Sequence, residues 1–178
     1  MMRLLFTFLI ASFSMSLSAQ ESIYNYTVQN IDGEEVSMET FKGKKILLVN
    51  VASKCGYTPQ YEELQKLYDK YSEKDFVVVA FPANNFMKQE PGSNSEIKAF
   101  CTEEYGVTFP VMSKISVKGD DQAPIYTWLT SKEMNGVADS KVKWNFQKYC
   151  IDAEGNLVTS FAPSVSPMDK TITDWIEE

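Results

Sequence analysis

Cys55, Cys101 and Cys150 are the residues through which this chain could do covalent or redox chemistry, and no histidine accompanies them anywhere in the sequence. Without histidine there is no His-dependent nucleophilic triad and no His-ligated metal site. Three widely spaced cysteines are too few and too irregular for a disulfide scaffold, and their odd number leaves at least one free or reactive.

Cys55 has the most informative surroundings. The continuous apolar run KKILLVNVAS ends beside it, as expected of a strand covered on both faces. Just after it, Thr58 can cap a helix whose first residue is Pro59, with Tyr61, Leu64, Leu67, Tyr68 and Tyr71 recurring at helical spacing. A thiol in such a strand-loop-helix turn faces the positive end of the helix and unpaired backbone donors, which favour the thiolate, and Lys54 stands next to it in sequence. Simple packing at a strand end accounts for the location equally well. The sequence Cys-Gly-Tyr-Thr lacks the second cysteine of a dithiol exchange centre, but a single thiolate can attack a peroxide oxygen. The resulting sulfenic acid would be protected from further oxidation by condensing with a second thiol.

The elements needed to position such a thiol follow along the chain. YNYTVQ and EEVSM flank the turn-like NIDG as an N-terminal β-hairpin, and FVVVAFP reads as a strand parallel to the first long one, joined to it by the helix after Cys55. A second helix runs from Asn94 or Ser95 to Tyr105, with Ile97, Phe100, Cys101 and Tyr105 on its apolar face and Gly106 ending it. APIYTWLTS gives a short helix, and WNFQKYCID and NLVTSFAP give neighbouring strands around AEGN. Ser166 and Pro167 open a last helix presenting Met168, Ile172, Trp175 and Ile176 to the sheet. The succession predicts an α/β fold with a central mixed sheet flanked by helices. Cys150 reads as a core residue, although strand parity places it with both Phe146 and Lys148.

Residues 1–19 carry an early positive charge, an apolar run and small residues toward their end, the pattern of a signal peptide, leaving 20–178 as one domain. An exported protein, periplasmic or extracellular, is expected, with a membrane-tethered precursor as the competing reading. A net charge of -7, interrupted only by short basic pieces such as Lys42 to Lys45, disfavours binding to nucleic acid or an anionic membrane.

Four longer segments carry a resemblance that the isolated residues do not. NVASKCGYTPQYEELQKLY at 50–68, FPANNFMKQEPGSNSEIKAFC at 81–101, VTFPVMSKISVKG at 107–119 and KWNFQKYCIDAEGNLVTSFAP at 143–163 together resemble the cysteine-containing branch of the glutathione peroxidase family over almost the whole of 20–178. The resemblance implies a thioredoxin-like fold. It assigns Cys55 as the peroxidatic nucleophile, with Gln89, Trp144 and Asn145 completing a catalytic tetrad whose amide and indole donors orient peroxide or stabilise developing charge. Taken singly, Gln89 would be a surface loop amide, Trp144 a core aromatic and Asn145 a strand-start cap. Where the family often has FPCNQF this chain has FPANNF, with Ala83 and Asn85, and Pro82, Pro91 and Gly92 are expected to restrain the loop that presents Gln89.

Cys101 falls where cysteine-type members carry a resolving cysteine, which implies a Cys55–Cys101 disulfide; its place on an apolar helix face also suits a buried small hydrophobe. The resemblance further implies a hydroperoxide substrate, thioredoxin or a thioredoxin-like protein as reductant, no cofactor, and, from the short SKEMNGVADSK connection, a monomer. A redox-sensing interaction protein that uses reversible Cys55 oxidation is the alternative of another class.

Overall fold

The computed structural model describes residues 21–178, so the signal peptide expected at 1–19 lies outside the described residues. Strands β1 (Thr27–Gln29) and β2 (Glu35–Ser37) form the N-terminal antiparallel hairpin. The main sheet contains β3 (Lys45–Val51), β4 (Phe76–Pro82), β5 (Lys148–Ile151) and β6 (Leu157–Phe161) in the order β4-β3-β5-β6. β3 pairs parallel with β4 and antiparallel with β5, and β5 pairs antiparallel with β6, so the sheet is mixed as expected.

The unbroken apolar run of β3 follows from burial on both faces. Ile46 and Leu48 enter one core cluster with Phe81, Tyr126 and Trp128, while Leu47, Val49 and Val51 enter the other with Tyr61, Leu64, Ile97 and Trp175. Helix α1 (Gln60–Tyr71) supplies the crossover to β4 and buries Tyr61, Leu64, Leu67 and Tyr71. Helices α3 (Pro124–Thr130) and α4 (Lys132–Asn135) precede β5; Ile125, Tyr126, Trp128 and Leu129 of α3 cover the opposite face from α1.

Helix α2 (Asn94–Tyr105) matches its expected span. The Ser93 hydroxyl accepts from Glu96 N while the Glu96 carboxylate accepts from Ser93 N, and Gly106 closes the helix at φ 59, where a side chain would be strained.

Two helix starts differ from expectation. Thr58 does not cap α1 with its side chain: its hydroxyl accepts from Cys55 N and donates to Ala52 O, so it closes the preceding loop instead. The last helix, α5 (Lys170–Glu177), begins at the Asp169 cap rather than at Ser166 and Pro167, because the Ser166 hydroxyl is engaged with Glu63 and Met168 N. Met168 therefore lies outside the helix and is exposed, whereas Ile172, Trp175 and Ile176 pack inward.

Candidate active site

The carboxyl ends of β3 and β4 meet in register at Val51 and Pro82, and β5 begins at Lys148 opposite Val49. The chain leaving β3, the chain leaving β4 and the chain entering β5 therefore gather at one edge of the sheet. These segments carry Cys55, Gln89 and Trp144–Asn145 respectively.

Cys55 is half-buried in a tightly bonded turn. Its N–H donates to Thr58 Oγ1 at 2.9 Å, its carbonyl accepts from Thr58 N at 3.0 Å, and its sulfur accepts from Tyr57 N at 3.4 Å. A backbone N–H is thus aimed at the sulfur. Beside it, Lys54 N donates to the Gln89 carbonyl at 3.0 Å and joins the Cys55 loop to the loop after β4.

That second loop is shaped by two consecutive left-handed residues, Met87 at φ 49 and Lys88 at φ 53. They reverse the chain directly before Gln89, a bend that the prolines and glycine of the segment did not reveal. Asn84 Oδ1 accepts from Glu90 N at 2.9 Å, and Asn85 reaches across to Ser116 Oγ at 2.8 Å and Val117 N at 2.9 Å. Asn85 is thus a fastener of this loop.

Asn145 is fully buried, and its Nδ2 donates to Gln89 Oε1 at 2.9 Å, while its Oδ1 has no partner among the described residues. Trp144 is half-buried, with its ring 5.3 Å from that of Phe86 at 46°. Lys118 Nζ lies over the Phe86 ring at 4.3 Å. Gln89 and Asn145 are in direct contact, Trp144 is the chain neighbour of Asn145, and Cys55 is tied to Gln89 through Lys54.

A model of the glutathione peroxidase family matches residues 23–130. A glutathione peroxidase homolog, BsaA, from Halalkalibacterium halodurans is 48% identical over 157 residues, covering 88% of this chain and 98% of that protein. The chain belongs to the glutathione peroxidase family. The Saccharomyces cerevisiae glutathione peroxidase-like peroxiredoxin 2 is 45% identical over 146 residues, covering 82% of this chain and 90% of that one. Among solved structures, Trgpx in apo form superposes with a TM-score of 0.69 at 35% identity, covering 89% of this chain and 97% of that one. T. cruzi GPX1 superposes at 0.67 with 32% identity, over 88% and 93%. The fold is thioredoxin-like, and family membership makes the chain a peroxidase of this type.

Cys101 lies in the core cluster against which Cys55 packs. It is buried on α2 among Tyr61, Ile97 and Cys150, and burial pushes its thiol up to about 11, with Glu90 adding to the effect and Tyr61 opposing it. All three cysteines are free thiols in this structure. Cys150 is fully buried in the core, as its sequence context suggested, and burial raises its thiol strongly.

Two charged residues escaped sequence reasoning. Glu90 is fully buried, accepts from Ser53 Oγ at 2.6 Å, and is shifted upward chiefly by burial. Lys148 is fully buried on the face shared with Cys150 and donates to Gln60 Oε1 at 2.6 Å, Pro163 O at 3.1 Å and Val165 O at 2.6 Å. Strand parity was the available signal for Lys148: it placed a lysine among core residues, and the carbonyl acceptors explain how it is accommodated.

Proposed function

We propose that this family member reduces hydrogen peroxide or organic hydroperoxides through Cys55, with Gln89, Trp144 and Asn145 as the groups that orient peroxide and stabilise the departing oxygen. The observation that carries the reading is the Asn145–Gln89 hydrogen bond, formed beside the loop that holds Cys55. The Cys55 thiolate attacks the distal peroxide oxygen; an S–O bond forms, the O–O bond breaks, and the departing oxygen takes a proton to become alcohol or water. Donors fixed before the reaction stabilise that developing charge without reorganising. Cys55 is left as a sulfenic acid.

Cys101 then resolves it: its sulfur attacks the Cys55 sulfur, the S–O bond breaks and water departs. A thioredoxin-like dithiol reduces the disulfide and returns both thiols. The enzyme acts as a monomer, exported after removal of residues 1–19.

Stopped-flow mixing of the reduced protein with hydroperoxide tests the chemistry. Multiple turnovers with a dithiol donor, lost in Cys55→Ser with the fold retained, are expected. Oxidation of Cys55→Ser at the normal rate would reject the site, and a single oxidation equivalent without turnover would favour a redox sensor. Mass analysis of the protein from producing cells tests export: an active species that begins at Met1 contradicts it.

A further inference from the structure

The turn that delivers Asn145 contains a feature that calls for a holder. Phe146, a bulky residue, sits at φ 65 in the left-handed region, a conformation that persists only when its surroundings over-determine it. The antiparallel ladder between β3 and β5 ends at the Val49–Lys148 pair. Beyond it the left-handed Phe146 turns the chain, so that Phe146 packs with Tyr61 on one face of the sheet while Trp144 packs with Phe86.

One residue of β3 grips this turn on both sides of Asn145. The Asn50 carbonyl accepts from Phe146 N at 2.5 Å, and Asn50 Nδ2 donates to Trp144 O at 3.0 Å, while Asn50 N donates to Gln147 O at 3.4 Å. Asn50 is the one polar residue in the fully buried run from Ile46 to Val51. Its Oδ1 has no partner among the described residues. An apolar residue would avoid the cost of an unpaired buried acceptor. What distinguishes the amide here is its donor half, and the carbonyl of Trp144 fixes which way the amide points, since the opposite orientation would set two acceptors against each other.

We infer that Asn50 is a positioning residue for the peroxidase reaction, holding the Trp144–Asn145–Phe146 turn in its left-handed form so that Asn145 Nδ2 meets Gln89 Oε1. The inference rests on the tetrad reading proposed above. Asn50 touches neither sulfur nor peroxide in this role; it acts through Asn145 and Trp144. A loss of its donor should leave the Cys55 loop intact, because that loop is closed by Thr58 and tied to Gln89 through Lys54, bonds in which Asn50 takes no part.

The test compares Asn50→Ser, too short to reach Trp144 O, and the isosteric Asn50→Asp with wild type in two reactions of Cys55. Oxidation by hydroperoxide needs the aligned donors, whereas alkylation by iodoacetamide needs only an accessible thiolate. The expected result is a fall of about tenfold or more in the second-order oxidation constant with alkylation unchanged within about twofold. The Asn50→Asp deficit, relative to wild type at the same pH, should narrow on acidification, because a protonated carboxyl can again donate to Trp144 O. Equal loss in both reactions would mean a general structural role and overturn the inference, as would unchanged oxidation in both variants. A wild-type protein whose Cys55 reacts with peroxide no faster than free cysteine would instead reject the peroxidase reading. The positioning claim is then decided by the side-chain amide of Asn145 in ¹⁵N spectra: its hydrogen exchange should be slow in wild type and fast in Asn50→Ser, and equal protection in the two would overturn it.

Discussion

Asn145 Nδ2 lies 2.9 Å from Gln89 Oε1, so a residue entering β5 and a residue in the loop after β4 share one hydrogen bond at the edge of the sheet that carries Cys55. The bond uses the oxygen of the Gln89 amide, which turns the Gln89 amide nitrogen away from Asn145 and leaves it available as a donor. The orientation of each amide is therefore set by the other. Replacing Asn145 by Ala should lower the second-order rate of Cys55 oxidation by about 10²-fold, the scale for losing one preorganised donor. Gln89→Ala should cost less in the Asn145→Ala background than in wild type, because its orientation is already lost. A stopped-flow double-mutant cycle checks this; additive effects would show that the two side chains act independently.

Much of the scaffold that creates this contact could be read from sequence. The apolar runs of β3 and β4 and the Ser93–Glu96 cap of α2 are local patterns, and local patterns fix local structure. The Gln89–Asn145 contact joins residues far apart in the chain, and only the resemblance of long segments to a family brought them together. Thr58 and Ser166 have the side chains of helix caps, yet both hydroxyls are committed to tertiary bonds, with Ala52 O and with Glu63. The tandem left-handed pair Met87–Lys88 and the left-handed Phe146 carry no glycine to announce them. Tertiary packing selects those conformations against residue preference.

Lys148 makes the stability of the fold depend on pH. Burial pushes its ammonium from the ordinary 10.5 down to about 7, partly opposed by Glu63. Between those values the unfolded chain holds a proton that the folded chain has released, so the unfolded state binds more protons and this group's contribution to stability rises with pH from about 7 toward 10.5. The slope is at most about 1.4 kcal/mol per pH unit. Urea unfolding of wild type and Lys148→Met across this range should show the difference between them growing in favour of wild type as pH rises. A difference independent of pH would mean that Lys148 titrates normally in the fold.

The thiols should differ sharply toward alkylation. With Cys101 pushed up to about 11, about one molecule in a thousand carries its thiolate at pH 8, and its sulfur is covered by the second core cluster. Cys150 is covered as well, whereas Cys55 is half-exposed. Iodoacetamide at pH 8 should add one carboxamidomethyl group per native reduced chain, at Cys55, and three after denaturation. Prompt native labelling at Cys101 would show that α2 opens readily without oxidation.

Oxidation is expected to reverse that protection. A disulfide requires Cα atoms within about 7 Å, and Cys101 is buried in a cluster with Tyr61, Ile97 and Cys150 against which Cys55 packs. Helix α2, which carries Cys101, is the element expected to yield. Its first turn is held by the Ser93–Glu96 box, by Lys98 against Asp32 and by Asn94 against Ser113, but only Ile97 and Cys101 are fully covered along its length. Phe100 and Tyr105 add partly buried ring contacts with Tyr61, but the remaining positions of this twelve-residue helix carry little core packing, and it is expected to open below the global unfolding free energy. One equivalent of hydroperoxide should therefore produce a Cys55–Cys101 linkage in non-reducing peptide maps, and backbone amides of residues 94–105 should lose hydrogen-exchange protection while β3 and β4 keep theirs. The disulfide should be reduced faster by a thioredoxin-type dithiol than by glutathione, because the dithiol supplies both electrons from one molecule. A sulfenic acid that persists at Cys55 with α2 fully protected, turned over faster by glutathione, would remove Cys101 from the cycle while leaving the role of Cys55 in place.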